Sequence, residues 1–205
     1  QGIFKEAYKN AERLVAVSGS LAEAMKPLAN GRKIEVFENM VDEEFFTISL
    51  EQISDTPFKF VAIGTLTRIK GYDILIKAFH QSHQHINAKL LIAGEGNERK
   101  DLQLLIAKLK LEEQVNLLGS LARDEVKNLL QSSHVLVSSS FYETFGITLI
   151  EGMACGLPVL ATKSGGPDTI VERETGLLVD PGDIEQLAAG MKTIRENYSS
   201  YKKDE

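Results

Sequence analysis

From residue 58 onward the chain repeats one unit: a short uninterrupted apolar run, a small residue, a polar loop, then a stretch of helical periodicity. The apolar runs fall at residues 58–64, 89–94, 115–119, 135–138 and 158–161, with helical stretches at 72–83, 100–109, 124–131 and 146–155. In 72–83 the side chains Ile74, Leu75, Ala78 and Phe79 recur one turn apart, the stripe of a half-buried helix. Strands that are apolar throughout are covered on both faces, whereas half-exposed strands alternate. Their alternation with helices predicts an α/β fold: a doubly wound, Rossmann-like parallel sheet. Residues 176–179 supply a sixth short strand, and 183–197 a closing helix after Pro181-Gly182.

Residues 1–48 do not share that rhythm. They read as a helix over 4–12, a strand over 14–17, Ser18 or Ser20 capping a helix over 21–25, and a strand over 33–37 leading into Asn39-Met-Val-Asp42. Two β/α steps are too few to bury both faces of a sheet. The expectation is a remnant of a preceding domain over 1–48, a polar linker over 49–57 and the main domain over 58–205. The other reading is a small extension packed on the main domain.

Composition narrows the partners. A net charge of −6 argues against nucleic acid, which is met by basic patches. The single Cys155 forms no internal disulfide, so a reducing, cytoplasmic setting is expected. No run approaches the ~18 apolar residues of a membrane span.

Open parallel sheets bind ligands outside the carboxyl ends of their strands, so five loops carry the functional reading. The first holds Arg68, Lys70 and Gly71, two cations suited to charge-assisted bonds with a diphosphate, or simply a solvated charged turn. The second, Gly94-Glu-Gly96-Asn-Glu-Arg99, lacks the third glycine of a dinucleotide fingerprint and lies in the wrong loop for one, which speaks against a nicotinamide dehydrogenase. The fourth is the most informative. Glu143 stands just before a helix and Glu151 eight residues on, with the backbone N–H groups of Phe145, Gly146 and Ile147 at the helix start. Unpaired amides and the helix dipole there suit a phosphate. Glu143 would also be favourable as a plain helix-start charge, and Glu151 as a solvated one. Together they bracket a phosphate with two carboxylates able to bind the hydroxyls of flanking sugars. The fifth loop, Lys163-Ser-Gly-Gly-Pro-Asp168, is a flexible turn whose Asp168 can cap a short helix. His80, His83 and His85 lack acidic or thiol partners at ligand spacing, so no metal is expected there. Cys155 reads as a small core residue, and Phe141 and Tyr142 as core packing first, with packing beside a bound sugar as the other reading.

Taken in order, several pieces resemble the sugar-donor domain of the retaining, metal-independent GT-B glycosyltransferases of glycosyltransferase family 4. They are Gly64-Thr-Leu-Thr-Arg-Ile-Lys-Gly71, Gly94-Glu-Gly96, Leu118-Gly119, Glu143-Thr-Phe-Gly-Ile-Thr-Leu-Ile-Glu151, Met153-Ala-Cys-Gly-Leu-Pro-Val159, Gly165-Gly166 and Gly176-Leu-Leu-Val179. Val15-Ala-Val-Ser18 and Asn39-Met-Val-Asp42 resemble the end of that family's N-terminal domain. The resemblance covers nearly the whole chain, and its Glu-x7-Glu element is the most specific part. It implies that Glu143 binds hydroxyls of the transferred sugar, that Lys70 neutralises the leaving diphosphate, and that Arg68 assists. It further implies that Glu151 binds the ribose, that the backbone from Thr144 through Phe145 and Gly146 to Ile147 meets the diphosphate and sugar, and that Leu121, after Gly119, lies at the base. Thr65, Gly94 and Gly96 complete the expected donor site. Thr65 stands where the family has a second phosphate-binding Arg, which Arg68 would replace. Ser139, Gly152, Asp168 and Met40 depart from the commoner Pro, Ala, Glu and Gly. Gly152 weakens its helix by ~1 kcal/mol relative to Ala, unless close packing requires it.

The expected function is therefore transfer of a sugar from a nucleotide diphosphate sugar, with UDP as the favoured nucleotide, to an acceptor that is lipid-linked or a saccharide. No cofactor is implied beyond the substrate, and no metal, because no Asp-x-Asp pair occurs. The missing N-terminal domain is the expected partner. Any attachment to the inner face of the membrane would run through it. The piece is expected to bind the donor but not to transfer. A nucleotide-sugar epimerase of the same architecture and a non-catalytic binding module remain open. A glycoside hydrolase does not, because its two carboxylates flank one bond rather than a helix start suited to anions.

Overall fold

The computed structural model describes residues 2–49, 54, 56–83 and 86–201. Most of the expected linker lies outside these residues, as do His85 and the side chain of His83.

A first segment folds as α1 (Gly2–Asn10), β1 (Leu14–Ala16), α2 (Gly19–Ala29) and β2 (Ile34–Val36), with β1 and β2 paired in parallel as a separate two-stranded sheet. Ser18 is the N-cap of α2, its hydroxyl accepting from the Leu21 amide at 3.2 Å. The sequence reading ended this helix at Met25, ahead of Pro27. The helix instead runs through Pro27 and closes at Asn30, which adopts the left-handed conformation that asparagine tolerates.

The main unit contains β3 (Phe58–Ile63), α3 (Tyr72–His83), β4 (Ala88–Ala93), α4 (Arg99–Lys108), β5 (Val115–Gly119), α5 (Arg123–Gln131), β6 (Val135–Ser138), α6 (Ile147–Ala154), β7 (Val159–Thr162), β8 (Gly176–Val179), α7 (Ile184–Glu196) and the short α8 (Tyr198–Tyr201). Its six strands pair in parallel in the order β5-β4-β3-β6-β7-β8. This is the expected doubly wound sheet. Shifts of a residue at element ends have local causes. Pro158 has no N–H to offer the ladder, so β7 begins after it while its carbonyl accepts from Leu136. Asp183 precedes α7 as its cap, accepting from the Gln186 amide at 2.9 Å.

Because successive strand side chains point to opposite faces, the predominantly apolar strands feed two cores. Phe58, Phe60 and Ala62 of β3, with Val135 and Val137 of β6 and Leu160 of β7, pack under Leu75, Ile76 and Phe79 of α3 and Met191 and Ile194 of α7. Val61, Leu136, Val159 and Ala161 face the other way, against Leu130 of α5, Leu149 of α6 and Cys155. Phe46 joins this second core at 2% exposure, flanked by Val41 and Phe45, so the end of the first segment is anchored on the sheet. Gly152 is explained by steric contact: a methyl there would stand 2.5 Å from Leu136 Cδ2. The core-packing reading of Phe141 and Tyr142 is corrected: in the loop that follows β6 both are nearly half exposed, at 44% and 45%.

Candidate functional site

The strand order reverses between β3 and β6, which are neighbours at the middle of the sheet with β4 and β5 on one side and β7 and β8 on the other. At such a switch point the loops that leave the two strands diverge and open a crevice. The loops after β3 and β6 hold Lys70 and Glu143, and the structure joins them: Lys70 Nζ donates to Glu143 Oε2 at 2.6 Å. The side chains are 25% and 18% exposed, so the pair is neither sealed in the core nor free on the outer surface.

Each partner is set by backbone. Lys70 closes a single 3-10 turn, Arg68–Lys70, whose carbonyls are taken from across the cleft. The Ser139 hydroxyl donates to the Lys70 carbonyl at 2.8 Å, and the Phe141 amide to the Ile69 carbonyl at 2.7 Å. Glu143 is gripped from the β7 side. Its amide donates to the Ser164 carbonyl at 2.9 Å, and its carbonyl accepts from Gly166 at 2.8 Å. A methyl on Gly166 would stand 2.2 Å from the Phe145 carbonyl oxygen, so this loop lies backbone against backbone. Asp168 is a correction. The short turn Pro167–Thr169 begins from Gly166, and the Asp168 carboxylate instead accepts from the Gly165 amide at 2.7 Å, stiffening the same grip.

The loop from Glu143 leads directly into α6. Gly146 caps that helix at φ +106°, a conformation costly for other residues. Among the described residues, the amides of Phe145, Gly146, Ile147 and Thr148 donate no hydrogen bond, which leaves a row of donors at the helix start. Thr144 and Ile147 are exposed there, while the Phe145 ring is buried and serves as an anchor. Glu151 follows one turn later. Burial raises its pKa above the usual carboxylate value, and Arg123 on α5 partly opposes that rise.

The second wall is built from the loops after β3, β4 and β5. The Leu66 amide donates to Glu95 and the Leu66 carbonyl accepts from Glu98, at 2.9 and 3.0 Å. Gly96 passes beneath it so closely that a methyl would meet the Leu66 carbonyl oxygen at 2.3 Å. The Gly94 amide donates to the Gly119 carbonyl at 2.7 Å. Thr65 is exposed on this wall, and Leu121 lies half-buried two residues beyond Gly119.

Not every expected residue converges. A 3-10 turn advances about 120° per residue, so Arg68 and Lys70 point to different sides. Arg68 is exposed, and its side chain makes no hydrogen bond or ion pair among the described residues. Among the same residues no three His, Cys, Asp or Glu side chains gather as a metal site. No described helix is long and apolar enough to cross a membrane. A cavity of about 490 Å³ lies at the opposite, amino end of the sheet beside Phe58 and Asn87 and holds none of the expected residues.

The sequence reading missed three groups. Tyr72, taken only as a helix start, brings its hydroxyl to the end of β3 beside Lys70; the run Lys70-Gly-Tyr72 was the available signal. Ser18, recognised as a cap, also donates from its hydroxyl to the Thr144 carbonyl at 2.5 Å. Arg123 pairs with Asp42 at 3.0 Å over the Phe45 ring while acting on Glu151. The last two contacts join segments 80 or more residues apart, which no local pattern reveals.

Comparison with known proteins agrees with this geometry. Residues 46–204 match the family described as Glycosyl transferases group 1. The chain is 32% identical over 200 residues to an uncharacterized glycosyltransferase of Methanocaldococcus jannaschii, covering 91% of this chain and 51% of that protein. It is also 32% identical over 184 residues to the N-acetyl-alpha-D-glucosaminyl L-malate synthase of Bacillus anthracis, covering 85% and 48%. The chain thus spans about half the length of these relatives. Among solved structures, Anabaena HepE in complex with UDP and glucose superposes with a TM-score of 0.87 at 27% identity, covering 98% of this chain and 58% of that one. A parallel sheet with its crevice at the β3/β6 switch point, matched by the family pattern over residues 46–204, places the chain in the Glycosyl transferases group 1 family, with the Rossmann-like domain of the GT-B fold.

Proposed function

We propose that this chain is the sugar-donor half, C-terminal in the intact protein, of a retaining glycosyltransferase of the family 4 type. It would move a hexosyl group from a nucleotide diphosphate sugar to an acceptor held largely by the other half. The observation that carries the reading is the Lys70–Glu143 pair at 2.6 Å beside the open amides of α6. A cation, a carboxylate and a row of amides are the groups that a diphosphate bonded to a sugar requires. In this reading the ligand divides the pair: the diphosphate takes the Lys70 ammonium and the α6 amides, and a sugar hydroxyl donates to Glu143. Departure of the nucleotide diphosphate concentrates negative charge on its terminal oxygens, and groups already aimed at that position stabilise it with little reorganisation. The phosphates are neutralised by Lys70 and amides in place of a divalent ion, and no cofactor takes part. Glu151 accepts from the ribose hydroxyls, Leu121 and Gly119 border the base, and Thr65, Gly94 and Gly96 shape the facing wall. UDP is the favoured nucleotide, supported by the Anabaena HepE complexes with UDP and with UDP-glucose.

Calorimetric titration with UDP and UDP-glucose tests the roles. Hydrogen bonds to charged groups are worth ~1.5–3 kcal/mol, roughly ten- to a hundredfold in affinity. Glu151→Ala should weaken both ligands by that factor, because both contain ribose. Glu143→Ala should weaken UDP-glucose only, leaving UDP unchanged or tighter because Lys70 is freed. Equal losses of both ligands in both variants would overturn the assignment.

A further inference from the structure

Tyr72 opens α3 directly after Gly71, and its ring is 5% exposed within the larger core. Its hydroxyl lies at the carboxyl end of β3. A methyl built on Gly64 would stand 3.0 Å from that hydroxyl and 3.5 Å from Lys70 Cε, so the phenol and the lysine stem flank one point of backbone. Buried hydroxyls ordinarily have a partner, and those around the cleft do: Ser139 donates to Lys70, Thr162 to Ser140, and Ser18 to Thr144. The Tyr72 hydroxyl has none among the described residues, yet it is not sealed from solvent. It is a polar group on an otherwise apolar, immobilised ring, aimed into the crevice and left unsatisfied by the protein.

Its protonation state is defined by its surroundings. Burial first, and the Glu143 carboxylate second, push the phenol's pKa up, so the oxygen keeps its proton at neutral pH and can donate. Lys70 and Glu143 satisfy one another, and Thr65, earlier in the loop that carries Lys70, has no charge. An anion entering between these loops would find one ammonium and one free phenolic donor side by side.

The geometry points to Tyr72 as a further substrate-contacting residue, its hydroxyl donating a hydrogen bond to the diphosphate of the sugar donor beside Lys70. This rests on the proposed sugar-donor site and adds a neutral, pre-oriented group to it. No proton leaves the phenol; the bond forms when the diphosphate enters and persists as charge grows on the leaving oxygens.

Wild type, Tyr72→Phe and Lys70→Ala are to be titrated with UDP and with uridine, and their unliganded melting temperatures compared. Tyr72→Phe keeps the ring and removes only the hydroxyl. It should weaken UDP roughly tenfold, leave uridine unchanged, and leave the unliganded melting temperature equal or higher, because no bond within the protein is lost. A merely structural hydroxyl gives the opposite pattern: a lower melting temperature with UDP affinity intact, which overturns the inference. If Lys70→Ala loses the preference for UDP over uridine while Tyr72→Phe keeps it, the Tyr72 assignment falls and the sugar-donor site stands. If wild type itself binds UDP no more tightly than uridine, the diphosphate site falls and Tyr72's role with it.

Discussion

Glu151 carries a conflict between stability and binding. Burial raises its pKa from 4.5, so the folded protein holds this proton more tightly than the unfolded chain does. A carboxyl raised in this way favours folding below pH ~4.5 and loses that contribution as pH climbs through the folded value, after which the penalty is constant. Glu151→Gln is neutral at every pH. Its melting temperature relative to wild type should therefore rise as pH increases through this window and level off above it, a trend readable by thermal scans from pH 4 to 8. A constant difference across that range would mean that the carboxylate is well solvated. In the proposed site, ribose hydroxyls would supply the bonds that burial removes, so the charge that burdens the empty protein would favour the loaded one. Arg123 tempers the burden from α5 and is itself shared with Asp42, which links the end of the first segment to Glu151 through one side chain.

At the scale of elements, much of the fold was legible because each strand of the main sheet is predominantly apolar and is followed by a polar loop. The runs at 115–119, 135–138 and 176–179 coincide with β5, β6 and β8. Propensity failed where tertiary contacts decide, as in α2, which continues through Pro27 with Ala22 and Ala29 buried. The pattern around Glu143 and Glu151 was legible because its spacing lies within one loop and one helix. The Lys70–Glu143 pair, 73 residues apart in the chain, and the Ser18–Thr144 contact, 126 apart, were not, because each depends on how separate loops leave the sheet. The grip on Glu143 belongs to this scale too. Gly166 has φ −60°, ordinary for any residue, so Gly166→Ala tests contact alone. Its methyl would press on the Phe145 carbonyl, which cannot swing aside as a side chain does. Overpacking of this kind costs about 1–3 kcal/mol. Chemical denaturation should show that loss, with weaker UDP binding by calorimetry as the loop before α6 moves. Unchanged values in both would mean that the loop yields freely.

Across the whole molecule, the first segment and the main unit meet through polar contacts as well as through the buried Phe46. Ser18 donates to Thr144, Arg123 pairs with Asp42, and Gln131 Nε2 donates to the Thr47 carbonyl at 2.7 Å. The 205-residue chain is expected to bind UDP without a divalent ion, so EDTA should leave the calorimetric affinity unchanged, and a tenfold loss would overturn the metal-free reading. Transfer is expected to need the remaining half, because an acceptor must be oriented against the sugar and water excluded. Turnover by these residues alone at the rate of the intact protein would place the acceptor site within them. The walls of the cleft carry one more consequence. Leu66 over Gly96, Phe145 over Gly166 and the Gly94–Gly119 bond are main-chain contacts that depend on the glycines and on no other side chain of the loops. Thr65, Thr144 and Ile147, exposed around the proposed site, can thus be exchanged without moving the frame that bears them. In the proposed donor site, single exchanges at these positions would change the sugar selected while each intermediate stays folded, so descendants could diverge in substrate and keep one shape.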